Sequence, residues 1–432
     1  MWNRKFAGKT IITTLIMVFL TGTVLAADVS AAGKTALSSK KMSLQVGQKK
    51  TLRIKNAKEK AKWSIKSGKN YISLGSKKKA SVTVVAKKKG TATVQAKVGK
   101  KAYQCKVTVQ AKEPVLKQED YPGKNLADVA ALLEVTKSQV KLGAYQAIGD
   151  VNDTSFYMWN EEGRLIKINW TDCNLTGNLS VKKLPELQEL YCSKNQLRGL
   201  DVSMNSKLEI LACGENQLES LDVNSNTSLQ KLFCYTNQIG KLEVGSNTNL
   251  RVLSCYENQL TSLDVSKNAA LETLSCESNQ LTELDLKQNL LLEILYCRQN
   301  QLAKLDVSAN INLQELSCSG NQLKDLNLSK NTQLVTLYCN NNILRSLDVS
   351  TCPALGKLAC TDNQLIGLDI SKNMELLILY CGSNQLETLD IGKNIKLQEL
   401  YCASNFITEL DITNNMELVI LDCDGEVVVK RQ

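Results

Sequence analysis

Residues 208–228 read LEILACGENQLESLDVNSNTS, and residues 229–249 repeat the pattern as LQKLFCYTNQIGKLEVGSNTN. Leu or Ile recurs at positions one, four, eleven and fourteen of this unit, Cys at position six, and Asn at positions nine and nineteen. The unit begins at Leu187 and returns every 21 residues until Leu418, where half a unit remains. Such a fixed period predicts a solenoid of nearly identical stacked turns, about twelve of them with a unit that opens at Leu165.

Each unit contains two related halves, LxxLxCxxN and LxxLDVSxN. Apolar residues alternate around the Cys and again around position sixteen, which is typical of short strands. Because the spacers are too short for a helix, we expect β-structure on both sides of a gently curved coil. The Asn at the end of each half is expected to be structural, since its side chain can bond turn backbone groups that no strand satisfies.

The cysteines follow the same period and occupy one position of the repeat. Twelve of the 15 are spaced by 21 residues: Cys192, Cys213, Cys234, Cys255, Cys276, Cys297, Cys318, Cys339, Cys360, Cys381, Cys402 and Cys423. In-register residues on neighbouring strands lie about 4.8 Å apart, whereas a disulfide needs Cβ atoms near about 3.8 Å. The spacing therefore predicts buried, reduced thiols, and the lack of C-x-x-C pairs argues against a metal cluster.

This pattern resembles the bacterial leucine-rich repeats, in particular their nested 21-residue subclass, which often carries Cys at position six. The resemblance covers residues 165–428. It implies a mainly β fold, a solenoid with a parallel sheet on its concave face, and it implies binding of proteins or glycans without catalytic residues. The absence of His independently excludes His-dependent triads and imidazole metal sites. We therefore expect no cofactor, no metal site and no enzyme activity.

The chain is bipolar in charge and begins with an export signal. Residues 1–26 contain Arg4, Lys5 and Lys9, then an apolar run and a small-residue cleavage site, as in a signal peptide. Residues 34–112 carry a net charge of +22 and residues 113–432 a net charge of −14, which with +2 for the first 33 residues gives +10. These features predict a secreted or cell-surface protein that does not span a membrane after signal cleavage.

Residues 34–112 have the short alternating runs of a β-sandwich, separated by turns rich in Lys and Gly. The stretches KWSIKSGKNYISL and KKKGTATVQAKV, with Trp63, Gly90 and Thr91, resemble the group-2 bacterial Ig-like (Big2-type) domain, a common spacer in surface proteins. Residues 113–164 are expected to form a linker and a helical cap from Asn125 onward, because an uncapped first coil would expose its core.

Two sets of residues are candidates for binding. The first lies at positions three, five, seven and eight, which should face solvent beside the Cys, and comprises Tyr191, Phe233, Tyr235, Tyr256, Tyr296, Arg298, Tyr338, Tyr380 and Tyr401. Exposed aromatics are typical anchors for protein or sugar partners, although Tyr also packs well on strands. Phe233, Tyr235 and Tyr256, with Arg298 and Glu277 nearby, form the expected hot spot.

The second set comprises Lys77, Lys78, Lys79, Lys87, Lys88 and Lys89. These lysines either keep the surface solvated or dock it onto an anionic cell-wall polymer. Nucleic acid is not expected, because no aromatic interleaving or recognition helix accompanies the charge. An acidic row at position fifteen, from Asp201 to Asp411, needs compensation by Ser or Thr hydroxyls and counter-ions, or by Ca²⁺.

The residues therefore favour an exported, non-enzymatic binding protein, adhesin-like, with the Lys-rich module as a spacer or tether. A structural cell-envelope component without a discrete ligand is the alternative.

Overall fold

The structure is a computed structural model that describes residues 34–112 and 116–431. The predicted signal peptide, residues 1–26, lies outside the described residues. The chain divides into two compact units at the Val115–Leu116 boundary, and each unit is described by itself.

The first unit is a β-sandwich of two four-stranded sheets, ordered β1-β3-β6-β5 and β2-β8-β7-β4. Its strands are β1 (Ala36–Leu37), β2 (Lys41–Gln45), β3 (Lys49–Lys55), β4 (Lys62–Ser67), β5 (Ile72–Lys78), β6 (Ser81–Ala86), β7 (Gly90–Val98) and β8 (Lys101–Gln110). Alternate residues point into one core, which includes Leu52, Trp63, Val84 and Val94. All pairings are antiparallel except that of β2 with β8, which is parallel.

The second unit begins with a cap. It contains the 3-10 helices Gln118–Asp120 and Gln146–Gly149, helix α1 (Leu126–Lys141) and strand β9 (Tyr157–Trp159). The helix expected from Asn125 is present, and the Asn125 side chain accepts hydrogen bonds from the amides of residues 127 and 128. Asp128 is buried and receives a two-pronged bond from Arg164 (2.8 and 3.0 Å), which fixes the helix to the chain entering the first coil. No helix within 34–112 or 116–431 has the length and hydropathy of a membrane span.

A 14-stranded sheet runs the length of the solenoid, which has about 13 turns. After the antiparallel β9, every strand pairs in parallel with the same position of the next coil. The strands are β10 (Leu165–Asn169), β12 (Glu189–Tyr191), β14 (Ile210–Ala212), β15 (Lys231–Phe233), β16 (Val252–Ser254), β17 (Thr273–Ser275), β18 (Ile294–Tyr296), β19 (Glu315–Ser317), β20 (Thr336–Tyr338), β21 (Lys357–Ala359), β22 (Ile378–Tyr380), β23 (Glu399–Tyr401) and β25 (Ile420–Asp422).

The register stacks identical side chains. Leu232, Leu253 and Leu274, for example, are direct strand partners in successive coils. These leucines and the repeated cysteines belong to one continuous core, which also takes in Trp170 and the apolar face of α1. A single coil could not bury this surface alone, so its stability comes from its neighbours.

The expectation of β-structure on both sides of the coil is wrong over most of the solenoid. Within residues 165–431 the second side has strands only at its two ends, where β11 (Thr176–Ser180) pairs with β13 (Gln196–Asp201) and β24 (Glu409–Asp411) with β26 (Val428–Lys430). In the coils between these ends, the Leu260 amide, for example, donates to the Asn279 side chain rather than to a backbone carbonyl of a neighbouring coil. Side-chain acceptors thus take the place of a backbone ladder where this side begins.

Candidate functional site

Asn side chains hold the coils at the spacing that builds the candidate site. Asn279, at position nine, donates through Nδ2 to the carbonyls of Cys255, Cys276 and Glu277 (each 3.1 Å), and its Oδ1 accepts from the Leu260 amide at 2.9 Å. The second Asn row bonds across coils too, and Asn268 donates to two carbonyls of the preceding coil, those of Asn247 (2.8 Å) and Val244 (3.0 Å). The predicted structural role of both rows is confirmed, because these bonds join successive coils.

The cysteines are buried and unpaired. All 15 cysteines lie within the described residues, and none of them forms a disulfide. Burial raises the pKa of Cys192, Cys234 and Cys318 to about 12, so these thiols stay protonated at neutral pH. Cys423, in the terminal half-unit, is only partly buried. The ladder is therefore part of the core.

The sheet face is the outer surface of the long sheet, formed by positions three, five, seven and eight. Arg298 is exposed on this face. The predicted aromatic residues are half-buried on it, and they are Tyr191, Phe233, Tyr235, Tyr256, Tyr296, Tyr338, Tyr380 and Tyr401. Tyr235 and Tyr256 stack with centroids 4.7 Å apart and planes 7° apart. The structure therefore joins two members of the expected hot spot as one flat aromatic surface.

Further along the sheet face lies a recess of about 730 Å³. Tyr296 and Tyr338 lie on either side of a coil that presents the small residues Ser317, Ser319 and Gly320, and all five line the recess. Gly320 occupies position eight of its unit, where the backbone is left-handed (φ 66°) and where other coils carry larger residues. A coil of small side chains between two tyrosines therefore produces the recess.

The recess has an uneven distribution of charge, with Glu277, Glu315 and Arg298 in its lining. The Tyr296 hydroxyl donates to Glu315 Oε2. Glu277 Oε2 is buried and has no hydrogen-bond partner in the part of the chain that the structure describes, and burial raises the pKa of this carboxyl. The recess thus combines aromatic walls with a carboxylate oxygen that the protein leaves unbonded.

A second recess of about 610 Å³ adjoins the first, and Asn340 and Asn341 line both. Its walls include Tyr380 and Tyr401, whose rings meet edge to face at 4.8 Å. The two recesses together extend the candidate surface from Glu277 to the last strand of the sheet, β25. Phe233, Tyr235 and Tyr256 line neither of them.

The recess is not among the features that the sequence predicts. The expected hot spot places Glu277 and Arg298 with Phe233, Tyr235 and Tyr256, whereas in the structure Glu277 and Arg298 line the recess beside Tyr296 and Tyr338. The signal available in the sequence was the run of small residues at outward positions of one unit, Ser317, Ser319 and Gly320.

The two lysine runs of the first unit are exposed but separate. Lys77 and Lys78 end β5, and Lys87 to Lys89 follow β6. In the antiparallel pair, Lys78 is opposite Ser81 and Ile72 is opposite Ala86, so the runs lie at opposite ends of this ladder. They are therefore separated by roughly 20 Å and do not form one patch.

The acidic row at position fifteen is bonded within its own turns. The Asp306 carboxylate accepts from the Ser308 amide (3.0 Å) and hydroxyl (2.6 Å), and these bonds lower the pKa of Asp306. The Asp264 and Asp348 carboxylates likewise accept from residues two positions on. Among the described residues, no three His, Cys, Asp or Glu side chains are grouped so as to hold a metal ion.

The fold defines the class of protein: a β-solenoid whose turns each add one short parallel strand and are joined by Asn side chains. No family model and no curated protein matches the chain. Solved structures do. The chain has the fold of the leucine-rich repeat proteins.

The similar structures include two listerial proteins and a plant receptor. The functional domain of InlJ from Listeria monocytogenes, described as including a cysteine ladder, is 33% identical over 61% of this chain and 68% of that one, with a TM-score of 0.49. The L. monocytogenes internalin InlF is 18% identical over 70% and 96%, with a TM-score of 0.56. The ectodomain of the receptor kinase GASSHO1/SCHENGEN3 from Arabidopsis thaliana is 22% identical over 62% and 36%, with a TM-score of 0.56.

Proposed function

We propose that this chain is an exported, non-enzymatic protein that binds a protein ligand through its sheet face. The observation that carries the proposal is the concentration of tyrosines around two adjoining recesses on that face. Half-buried tyrosines offer a large apolar area with a polar tip, and such residues dominate binding energy at protein interfaces. The Arabidopsis ectodomain, similar in fold, was solved in complex with CASPARIAN STRIP INTEGRITY FACTOR 2.

The opposite side of the coil is less suited to this role. Its carboxylates are bonded to the amides and hydroxyls of their own turns, as at Asp306 and Ser308. A ligand there would have to compete with bonds that already exist. On the sheet face, by contrast, the Glu277 oxygen has no partner.

The Lys-rich first unit is proposed to act as a spacer, and as an electrostatic tether to an anionic polymer of the cell envelope. Its residues 34–112 contain 22 Lys and one Arg against the single acid Glu59, and no ion pair is found among these residues. Since Lys77–Lys79 and Lys87–Lys89 lie at opposite ends of a ladder, a tether that uses both needs an extended polyanion. We also propose that this unit is a group-2 bacterial Ig-like domain.

The tether is tested by eluting the full chain from purified cell walls with increasing salt. Screening must weaken contacts between exposed charges, so elution should shift to lower salt when Lys77–Lys79 and Lys87–Lys89 are replaced by Gln. Retention that neither salt nor these substitutions alter would remove the tether.

The binding proposal is tested by probing the full chain on arrays of extracellular proteins and of glycans. A protein hit should bind at least about tenfold more weakly to the Tyr296→Ser, Tyr338→Ser variant, and the Phe233→Ser, Tyr235→Ser, Tyr256→Ser variant tests the stacked surface. A matched control, Lys241→Ser with Thr261→Ser, alters exposed residues on the other side and should bind normally. Hits confined to the glycan array, or hits that only the control variant weakens, would contradict the proposal.

A further inference from the structure

The recess between Tyr296 and Tyr338 contains an unsatisfied acceptor. Glu277 Oε2 is almost inaccessible to solvent and has no hydrogen-bond partner within residues 34–112 and 116–431. A buried carboxylate oxygen without a donor is unfavourable, because burial removes its water without replacing it. Because this oxygen is closed to solvent, a ligand donor meets it only when the Glu277 side chain rotates into the recess that it lines.

The other charged groups of the recess favour a cationic donor. Glu315 contributes a second carboxylate, bonded to the Tyr296 hydroxyl. Arg298 is the only cation in the lining, and its side chain is exposed. The ion pairs found within residues 116–431, with N···O distances up to 4.0 Å, do not include one between Arg298 and Glu277. The lining therefore has two carboxylates and one cation, and the charge of Arg298 acts on the pKa of Glu277 from a distance without forming an ion pair with it.

The walls suit a long basic side chain as well. Tyr296 and Tyr338 are two coils apart, about 9.6 Å, with Ser317 at the same position of the coil between them. The sheet face already places cations on such rings: Lys357 Nζ lies 5.1 Å from the Tyr338 centroid and Lys167 Nζ 4.9 Å from that of Tyr191. A ligand cation between the tyrosines would use the same attraction.

We propose that this recess receives an arginine or lysine side chain of a peptide segment in the ligand, with Glu277 as its anionic partner and Tyr296 and Tyr338 as its walls. This inference rests on the proposed function, since it specifies the chemistry of the protein ligand. Arginine fits best, because a planar guanidinium stacks on aromatic rings and donates to carboxylates at the same time. Sugars lack the positive charge that would pair with Glu277.

The test uses the full chain and a library of end-blocked nonapeptides whose central residue is fixed as Arg, Lys, Gln or Glu. Binding is measured at about 150 mM salt, where long-range attraction to the acidic solenoid is screened. Peptides with Arg or Lys should bind at least about tenfold more tightly than those with Glu, and Glu277→Gln should abolish this preference. The control Glu283→Gln makes the same charge change on an exposed residue of the same coil and should preserve it.

Arg298→Gln sharpens the test, because it removes the competing cation. It should leave binding of basic peptides unchanged or tighter, whereas weaker binding would indicate an acidic ligand and overturn the inference. Equal loss of preference in Glu277→Gln and Glu283→Gln would reduce the effect to overall charge and also overturn it. Peptides that bind without a basic preference, yet are lost in the Tyr296→Ser, Tyr338→Ser variant, overturn the basic side chain and leave the proposed function standing. No peptide binding at all overturns the inference, while the protein array still decides the proposed function.

Discussion

Replacing a single Asn at position nine of the repeat, Asn279, should destabilise the solenoid far more than replacing its exposed neighbour Gln280. Asn279 makes four side-chain hydrogen bonds, three as donor and one as acceptor. In Asn279→Ala each of the three carbonyls keeps another donor: Cys255 keeps Asn258, Cys276 keeps Asn300, and Glu277 keeps the amide of residue 257. The Leu260 amide, however, loses the acceptor that Asn279 provides.

The magnitude follows from that difference. A buried amide left without an acceptor costs about 1–3 kcal/mol of stability. Loss of the three bonds from Asn279 to carbonyls costs less than usual, because each carbonyl keeps another donor. We therefore expect Asn279→Ala to lower the free energy of unfolding by about 2–4 kcal/mol. The control Gln280→Ala, at an exposed position of the same turn, should lie within about 0.5 kcal/mol of the parent chain.

Urea unfolding with pulsed hydrogen exchange measures this, because the peptide carrying Leu260 reports on the affected coils. That peptide should exchange at lower urea in Asn279→Ala than in Gln280→Ala. Equal midpoints for the two variants would refute the assignment of the Asn row as the joint between coils.

The variant Asn279→Asp adds a test of sign. It retains the acceptor but places a carboxylate against three carbonyls, so the folded state should raise its pKa above the unfolded value of about 3.9. Its deficit in stability, relative to Gln280→Asp, should therefore be smallest near about pH 4 and grow as the pH rises. A deficit that shrinks with rising pH would contradict the geometry.

Three further predictions concern the thiols, the cap and the acidic row. In native chain treated with iodoacetamide, peptide mapping should find Cys423 labelled first, and Cys297→Ser should destabilise by about 1–3 kcal/mol because it buries a hydroxyl; uniform labelling would contradict the buried ladder. Tyr157→Phe should cost about 2–4 kcal/mol in urea unfolding, since the Tyr157 hydroxyl donates to the Ile148 carbonyl (2.5 Å) and accepts from the buried Trp170 indole (2.9 Å). Because the bonds from Ser308 lower the pKa of Asp306 in the folded state, the stabilisation they provide is present above about pH 4 and is lost as the pH falls below it. The difference in thermal midpoint between the parent chain and Ser308→Ala should accordingly shrink with acidification, and a difference that widens would be inconsistent with the bonds to Asp306.

The sequence predicts the solenoid so well because its constraints repeat. A Leu, a Cys and an Asn that return every 21 residues can share one environment only if each coil stacks in register on the last, as Leu232, Leu253 and Leu274 do. The helical cap follows from the same reasoning, because the first coil needs an apolar cover. The β-structure expected on the second side is wrong over most coils because the periodicity of side chains does not reveal whether an amide bonds a backbone carbonyl of the next coil or, like that of Leu260, an Asn side chain.

The recess is a second feature that the sequence alone does not predict. Its walls, Tyr296 and Tyr338, stand out in the sequence as aromatic residues, but its depth comes from what is small between them. Ser317 at position five is unremarkable by itself, and Ser also occupies this position at 254 and 275. The run of Ser317, Ser319 and Gly320 is visible in the sequence, but only the structure shows that this run and two tyrosines line one recess.

The coil separates folding from recognition, which explains how one repeat can hold a varied surface. Leu, Cys and Asn point inward and meet the same residues in the next coil, so substitution there affects the whole stack. Positions three, five, seven and eight point outward and contribute little to that stack, so Tyr, Ser, Gly or Glu can occupy them at small cost in stability. Glu277 is the informative exception: its oxygen is buried without a partner, an arrangement that stability alone does not explain. A residue that breaks the local rule on an otherwise permissive face is where binding is expected, and the Glu277→Gln variant should be at least as stable as the parent chain while losing its preference for basic peptides.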